Sequence, residues 1–173
     1  MGRIRQTISL VLCLGAFGCT GSGRVAAAHP LARSPAPVVT TRLASGASFR
    51  AADAKGKVLL LDFWATWCPP CKAAFPRLDA LYRKHRADGL EVVAVSEDDD
   101  DAKAAAFAKE ANVTFTIAYD DDGKAAEAFA VQSMPTSYLV DRRGVVRYVH
   151  AGYHPDEADQ IEAELTELLA EAP

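Results

Sequence analysis

The sequence predicts an α/β sandwich built around one mixed sheet. Three observations carry that expectation. Continuous apolar runs such as Val58–Trp64 have the character of strands buried on both faces. Segments with helical spacing alternate with them, as in Cys71, Phe75, Leu78 and Tyr82. Two later strands, Ser137–Val140 and Val145–Val149, flank the turn signal Asp141-Arg142-Arg143-Gly144, so the order βαβ ends in a hairpin and a helix.

Taken in order, Val58–Trp64 is a strand, interrupted only by Asp62. The helix after it opens on Pro69 and Pro70, residues that suit a first turn, and carries Pro76, which should kink it. Leu90–Val95 reads as a strand, Ala102–Ala111 as a helix, Phe115–Ala118 as a short strand and Lys124–Ala130 as a short helix. The last helix is expected from about Asp156 to Leu169, with Ala158, Ile161, Leu165, Leu168 and Leu169 on one face. Val38–Leu43 is expected at most as an added edge strand, and no internal repeat is found.

The chain has 173 residues, half of them hydrophobic, which suffices for one domain and not for two. Its net charge of −4 gives no sign of a nucleic-acid-binding surface. Four cysteines lie at positions 13, 19, 68 and 71. None is scattered through the body, so they suggest chemistry and targeting and not a stapled fold.

Residues 1–18 have the layout of a secretory signal. Arg3 and Arg5 precede an apolar stretch from Ile8 to Phe17, and small residues follow. Ten helical residues rise only about 15 Å, against a hydrocarbon core of about 30 Å. Gly15-Ala16-Phe17-Gly18-Cys19 resembles a bacterial lipobox, which makes Cys19 the expected lipid anchor. Cleavage near Ala28, after Ala26-Ala27-Ala28, is the alternative and would release a soluble protein. Residues 19–45, rich in small residues and prolines, are expected as a flexible tether, and residues 46–173 as the domain.

The chemistry concentrates in Trp67-Cys68-Pro69-Pro70-Cys71. A strand that delivers Cys-x-x-Cys onto a helix N-terminus places sulfur among unpaired N–H groups and at the positive end of a dipole. Such settings favour thiolate, lowering a cysteine pKa from about 8.5 to between about 3.5 and about 7.5. Cys68, expected to be exposed, would attack, and Cys71, one turn deeper, would resolve the mixed disulfide. Pro69 and Pro70 stiffen the loop and offer no N–H donor. His29, His85, His150 and His154 sit at no spacing that completes a zinc site, and copper(I) on two thiolates is the remaining metal alternative. No metal or other cofactor is expected beyond the redox-active pair.

Asp62 is costly to bury ionised, so its pKa should rise if it is interior; otherwise it points outward near the strand end. Asp98–Asp101 reads as a solvated helix start, and Asp120-Asp121-Asp122-Gly123 fails the EF-hand pattern at Ala118 and Phe129. His150 and His154 default to surface or packing roles.

Asp62-Phe63-Trp64-Ala65-Thr66-Trp67-Cys68-Pro69-Pro70-Cys71-Lys72 resembles the active-site stretch of the thioredoxin superfamily. The Cys-Pro-Pro-Cys pair and the N-terminal anchor are similar to its extracytoplasmic TlpA/ResA-like branch. Met134-Pro135-Thr136 matches the family's cis-proline loop, Tyr138–Asp141 and Gly144 match the strand and hairpin after it, and Pro76 matches the helix kink.

The resemblance spans about residues 46–173. It implies a thioredoxin-like three-layer α/β/α sandwich with a mixed central sheet, and thiol–disulfide exchange through the Cys68–Cys71 dithiol, with protein substrates bound by Trp67, Pro69, Pro70, Met134 and Thr136. By the same resemblance Pro135 would be cis, and Asp62 would take the proton of Cys71, directly or through a water. The direction implied is reduction, with an oxidase or isomerase as the alternative and copper(I) handling as a different class. The expected partners are disulfide-bearing proteins and a membrane electron donor of the DsbD/CcdA type, and the expected state is a periplasmic, membrane-anchored monomer. Branch members that mature cytochromes often carry glutamate three residues after the second cysteine, where this chain has Ala74. A peroxidase is disfavoured because the Pro-x-x-x-Thr-x-x-Cys pattern is missing.

Overall fold

The computed structural model describes residues 29–154 and 158–172. Its single sheet has seven strands: β1 (Thr41–Leu43), β2 (Ser48–Phe49), β3 (Val58–Trp64), β4 (Leu90–Ser96), β5 (Thr116–Tyr119), β6 (Thr136–Val140) and β7 (Val146–Ala151). The order across the sheet is β2-β1-β5-β4-β3-β6-β7. β3, β4 and β5 run parallel, whereas β6 joins β3 antiparallel and β7 joins β6 antiparallel. The mixed sheet is therefore central, as the alternation of elements predicted.

Four helices cover it: α1 (Pro69–His85), α2 (Asp101–Glu110), α3 (Lys124–Ala128) and α4 (Ala158–Ala170). β3 and β4 are apolar on both faces because both faces are covered. Leu60 and Trp64 pack with Cys71, Phe75 and Leu78 of α1, Ala104 of α2 and Leu165 of α4. Leu61 and Phe63, one residue out of phase, pack on the opposite side with Phe129 and Tyr138. Three layers result. Helix α1 continues unbroken through Pro76, which removes one backbone donor from its interior.

The N-terminal boundary differs from expectation. Residues 29–45, expected to belong to the tether, are packed onto the domain. Arg33 N–H donates to the Val146 carbonyl and Ala36 N–H to that of Gly144, while Val146 N–H returns to Ser34. Leu31, Ala36, Val39 and Leu43 lie against the core, and the His29 ring meets Tyr138 edge-on. A segment rich in prolines loses little backbone entropy on docking, and few apolar side chains suffice to hold it. β1 is also no edge strand, since it lies between β2, which the sequence did not suggest, and β5. Residues 19–28, Cys13, Cys19, the cleavage sites and the first residues expected of the last helix lie outside the described residues.

Candidate functional site

Strand β3 ends at Trp64, and four residues later Cys68 forms the N-cap of α1 in extended backbone. Pro69 and Pro70 fill the first helical positions, where a missing N–H leaves no intrahelical bond unmade. The first backbone donor past them is Cys71 N–H, which points at Cys68 Sγ from 3.2 Å. Cys68 and Cys71 are joined as a disulfide, their Cα atoms 5.3 Å apart.

Cys68, expected to be exposed, is only 5% exposed, and Cys71 is fully buried. The pair lies in one apolar cluster against which the partly buried Met134 packs. Trp67, at 64% exposure, and the exposed Pro69 and Pro70 form the rim.

Two polar attachments fix the approach to the pair. Asp98 accepts from Thr66 N–H at 2.9 Å and from the Thr66 hydroxyl at 2.6 Å. The Ser96 hydroxyl adds a third bond to the same carboxylate at 3.0 Å. The run Asp98–Asp101 is thus not merely a solvated helix start. Asp100 caps α2 through Ala102 N–H, and Arg42 ties Asp101 to Asp121. Beside this loop, burial and the neighbouring Asp120 carboxylate push Glu97 up to about 7.

The Met134–Pro135 peptide bond is cis. Gly152 N–H donates to the Pro135 carbonyl at 2.7 Å, which fixes the loop against β7. Thr136, expected at the substrate surface, is buried, and its hydroxyl donates to the Ser133 carbonyl at 2.7 Å. Its side chain shares the face of Phe63, its cross-strand partner, because β pairing places opposed residues on one face. It braces the loop from behind the sheet.

Asp62 does not point outward. It is 1% exposed, on the face of β3 that carries Leu60 and Trp64 and packs with Cys71 of α1. Burial raises its pKa to about 7, against the lowering effect of the Ser137 hydroxyl, which donates to Oδ1 at 2.6 Å. The other oxygen, Oδ2, is buried without a partner among the described residues. Ala74 lines a small space between α1 and α4 together with Pro135 and Ser137.

Ser137, Asp98 and Thr66 were not legible as site residues. Asp62 interrupts an apolar strand, whereas Ser137 lies at an ordinary strand start, and only the register of β3 with β6 sets them opposite each other. Among the described residues no group of three or more His, Cys, Asp and Glu side chains is placed to hold a metal ion.

The AhpC/TSA family matches residues 32–149. The chain belongs to that family. It is 40% identical over 120 residues to the thioredoxin-like protein YneN of Bacillus subtilis, covering 68% of this chain and 69% of the relative. It is 34% identical over 145 residues to the thiol-disulfide oxidoreductase ResA of Bacillus thuringiensis, covering 82% and 83%. Among solved structures it resembles a Chlorobium tepidum protein named for the thiol:disulfide interchange protein DsbE, with TM-score 0.75, 34% identity and coverage of 79% and 96%. This AhpC/TSA member is a thiol–disulfide oxidoreductase with a thioredoxin-like fold, and the pair present for that chemistry is Cys68–Cys71. The family match begins at residue 32, in keeping with the packing of the segment before β1.

Proposed function

We propose that this protein reduces disulfides of other proteins outside the cytoplasm. The observation that carries the direction is the donor set on Cys68. Cys71 N–H is aimed at Sγ, but Pro69 and Pro70 remove the other donors of the first turn. A strongly stabilised thiolate favours the reduced protein and makes an oxidant; a sparse donor set favours the disulfide product and hence a reductant.

In the proposed cycle the Cys68 thiolate attacks one sulfur of a substrate disulfide, and the other leaves as a thiolate. Cys71 gives its proton to Asp62 and attacks Cys68 Sγ. The Cys68–Cys71 disulfide forms and the second substrate sulfur departs. The cis-Pro135 loop and exposed Trp67 offer the substrate its contacts, Met134 through its backbone. A membrane dithiol donor of the DsbD/CcdA type would restore the pair. Supporting the location, residues 1–18 have the signal layout and Cys19 the lipobox position; retention in membranes lost in Cys19→Ser tests it.

The decisive measurement is the reduction potential of Cys68–Cys71. A value near the thioredoxin level of about −270 mV supports reduction, and one near about −120 mV would reverse the direction. Insulin reduction with dithiothreitol should vanish in Cys68→Ser, while Cys71→Ser should accumulate mixed disulfides.

A further inference from the structure

The two oxygens of Asp62 are unequal. Oδ1 accepts the Ser137 hydroxyl, whereas Oδ2 is buried with no partner among the described residues. A buried acceptor left unpaired costs about 1 to about 3 kcal/mol, so its retention calls for a role. Ser137 stands directly opposite Asp62 in the β3–β6 ladder, and strand periodicity puts both on the face that α1 covers with Cys71 and Phe75.

We infer that Ser137 is a positioning residue for the resolving step: its hydroxyl ties down Oδ1 and leaves Oδ2 as the atom that receives the Cys71 proton. The inference rests on the proposed role of Asp62 as acceptor. In that step the S–H proton of Cys71 moves to Oδ2. The freed sulfur electron pair forms the bond to Cys68 Sγ, the bond from Cys68 Sγ to the substrate sulfur breaks, and the substrate leaves as thiolate. Proton and electrons balance without a further reactant.

Other titratable groups on this side are already engaged. Arg77 of α1 pairs with Glu162 of α4, and His85 of α1 lies against the same carboxylate. His150 of β7, opposite Ser137, is 2.6 Å from Glu164 of α4. Tyr153 lines the space that Ser137 borders, and β4 presents Ala94 at the register of Asp62. The Ser137 hydroxyl is the hydrogen bond that holds the Asp62 carboxyl, and by binding the ionised form it opposes the effect of burial.

The test follows decay of the Cys68 mixed disulfide in single turnover from about pH 5 to about pH 9. In the native protein the rate should rise as Asp62 ionises, and Asp62→Asn should slow it and abolish the inflection. Ser137→Ala should move the midpoint up by about one pH unit, slowing resolution at about pH 7 about fivefold, without slowing mixed-disulfide formation. Ser137→Thr, which keeps the hydroxyl, should restore the native profile. If Ser137→Ala does not fold, Ser137→Cys, a weaker donor, should move the midpoint the same way by less. A Ser137→Ala profile that overlays the native one while Asp62→Asn remains slow overturns this inference alone. An unimpaired Asp62→Asn overturns the acceptor role and this inference with it.

Discussion

The Asp98 carboxylate holds both the backbone N–H and the hydroxyl of Thr66, at 2.9 and 2.6 Å. Thr66 lies two residues before Cys68, so this clamp joins the end of β4 to the loop that presents the attacking sulfur. A third bond from Ser96 completes the cluster. Asp98→Ala should therefore destabilise the oxidised protein by about 2 kcal/mol and lower insulin reduction several-fold. Asp99→Ala, one residue on and exposed, should stay within about 0.5 kcal/mol of the native protein. Urea unfolding of both variants makes the comparison, and equal stability would show that Thr66 needs no anchor.

Asp62 makes stability depend on pH in a definite sense. Its folded pKa is raised from 3.8 to about 7, chiefly by burial. Below about pH 4 both folded and unfolded chains hold the proton. Between about pH 4 and about pH 7 the unfolded chain releases it while the folded one retains it, so stability falls with rising pH. Above that window the loss is complete, amounting to about 4 kcal/mol. Asp62→Asn should lack this loss and gain on the native protein across the window. Denaturant midpoints of the two oxidised proteins, in which neither Cys68 nor Cys71 titrates, measure it; parallel curves would show that Asp62 stays ionised.

What the sequence revealed here follows from local physics. Apolar runs and helical spacing located β3, β4, α1 and α4 because those elements bury whole faces, and Cys68-x-x-Cys71 at a helix start is a local signal. Asp62 was visible as an anomaly because a carboxylate stands out within Val58–Trp64. Its partner Ser137 was not, since a serine at a strand start is ordinary and the pairing depends on register across 75 positions of sequence. Thr66 and Asp98 are likewise 32 positions apart. β2 has two residues, too few for a period, and residues 29–40 dock without regular structure. In each case the missing information is long-range pairing, which composition does not encode.

Trp67 is the large apolar side chain beside the pair that stays open, at 64% exposure. Exposed aromatic area at the rim of a reactive site serves contact with another chain. Trp67→Ala should raise KM for insulin about tenfold, equivalent to about 1.4 kcal/mol, and leave kcat little changed. Reduction of oxidised glutathione, too small to reach the rim, should be nearly unaffected. Steady-state kinetics on both substrates decides it: an equal loss on both would assign Trp67 to shaping the dithiol.

The segment before β2 belongs to the folded unit, so a chain beginning at Gly46 should be much weaker than one beginning at His29. Truncation would remove β1, which joins β2 to β5, and the backbone bonds from residues 33–36 to the β6–β7 turn. It would also uncover the places of Leu31, Val39 and Leu43 against the second core. Each apolar side chain contributes about 1.5 to about 3 kcal/mol when fully buried, and these are only partly buried. A loss of about 3 kcal/mol follows, enough to lower the melting temperature by several degrees in a domain of this size. The Cys68–Cys71 end of the sheet lies on β3, away from the lost strands, so the shorter chain should still reduce insulin at temperatures where it is folded. Calorimetry of both forms checks the stability; identical transitions would return residues 29–45 to the role of a tether.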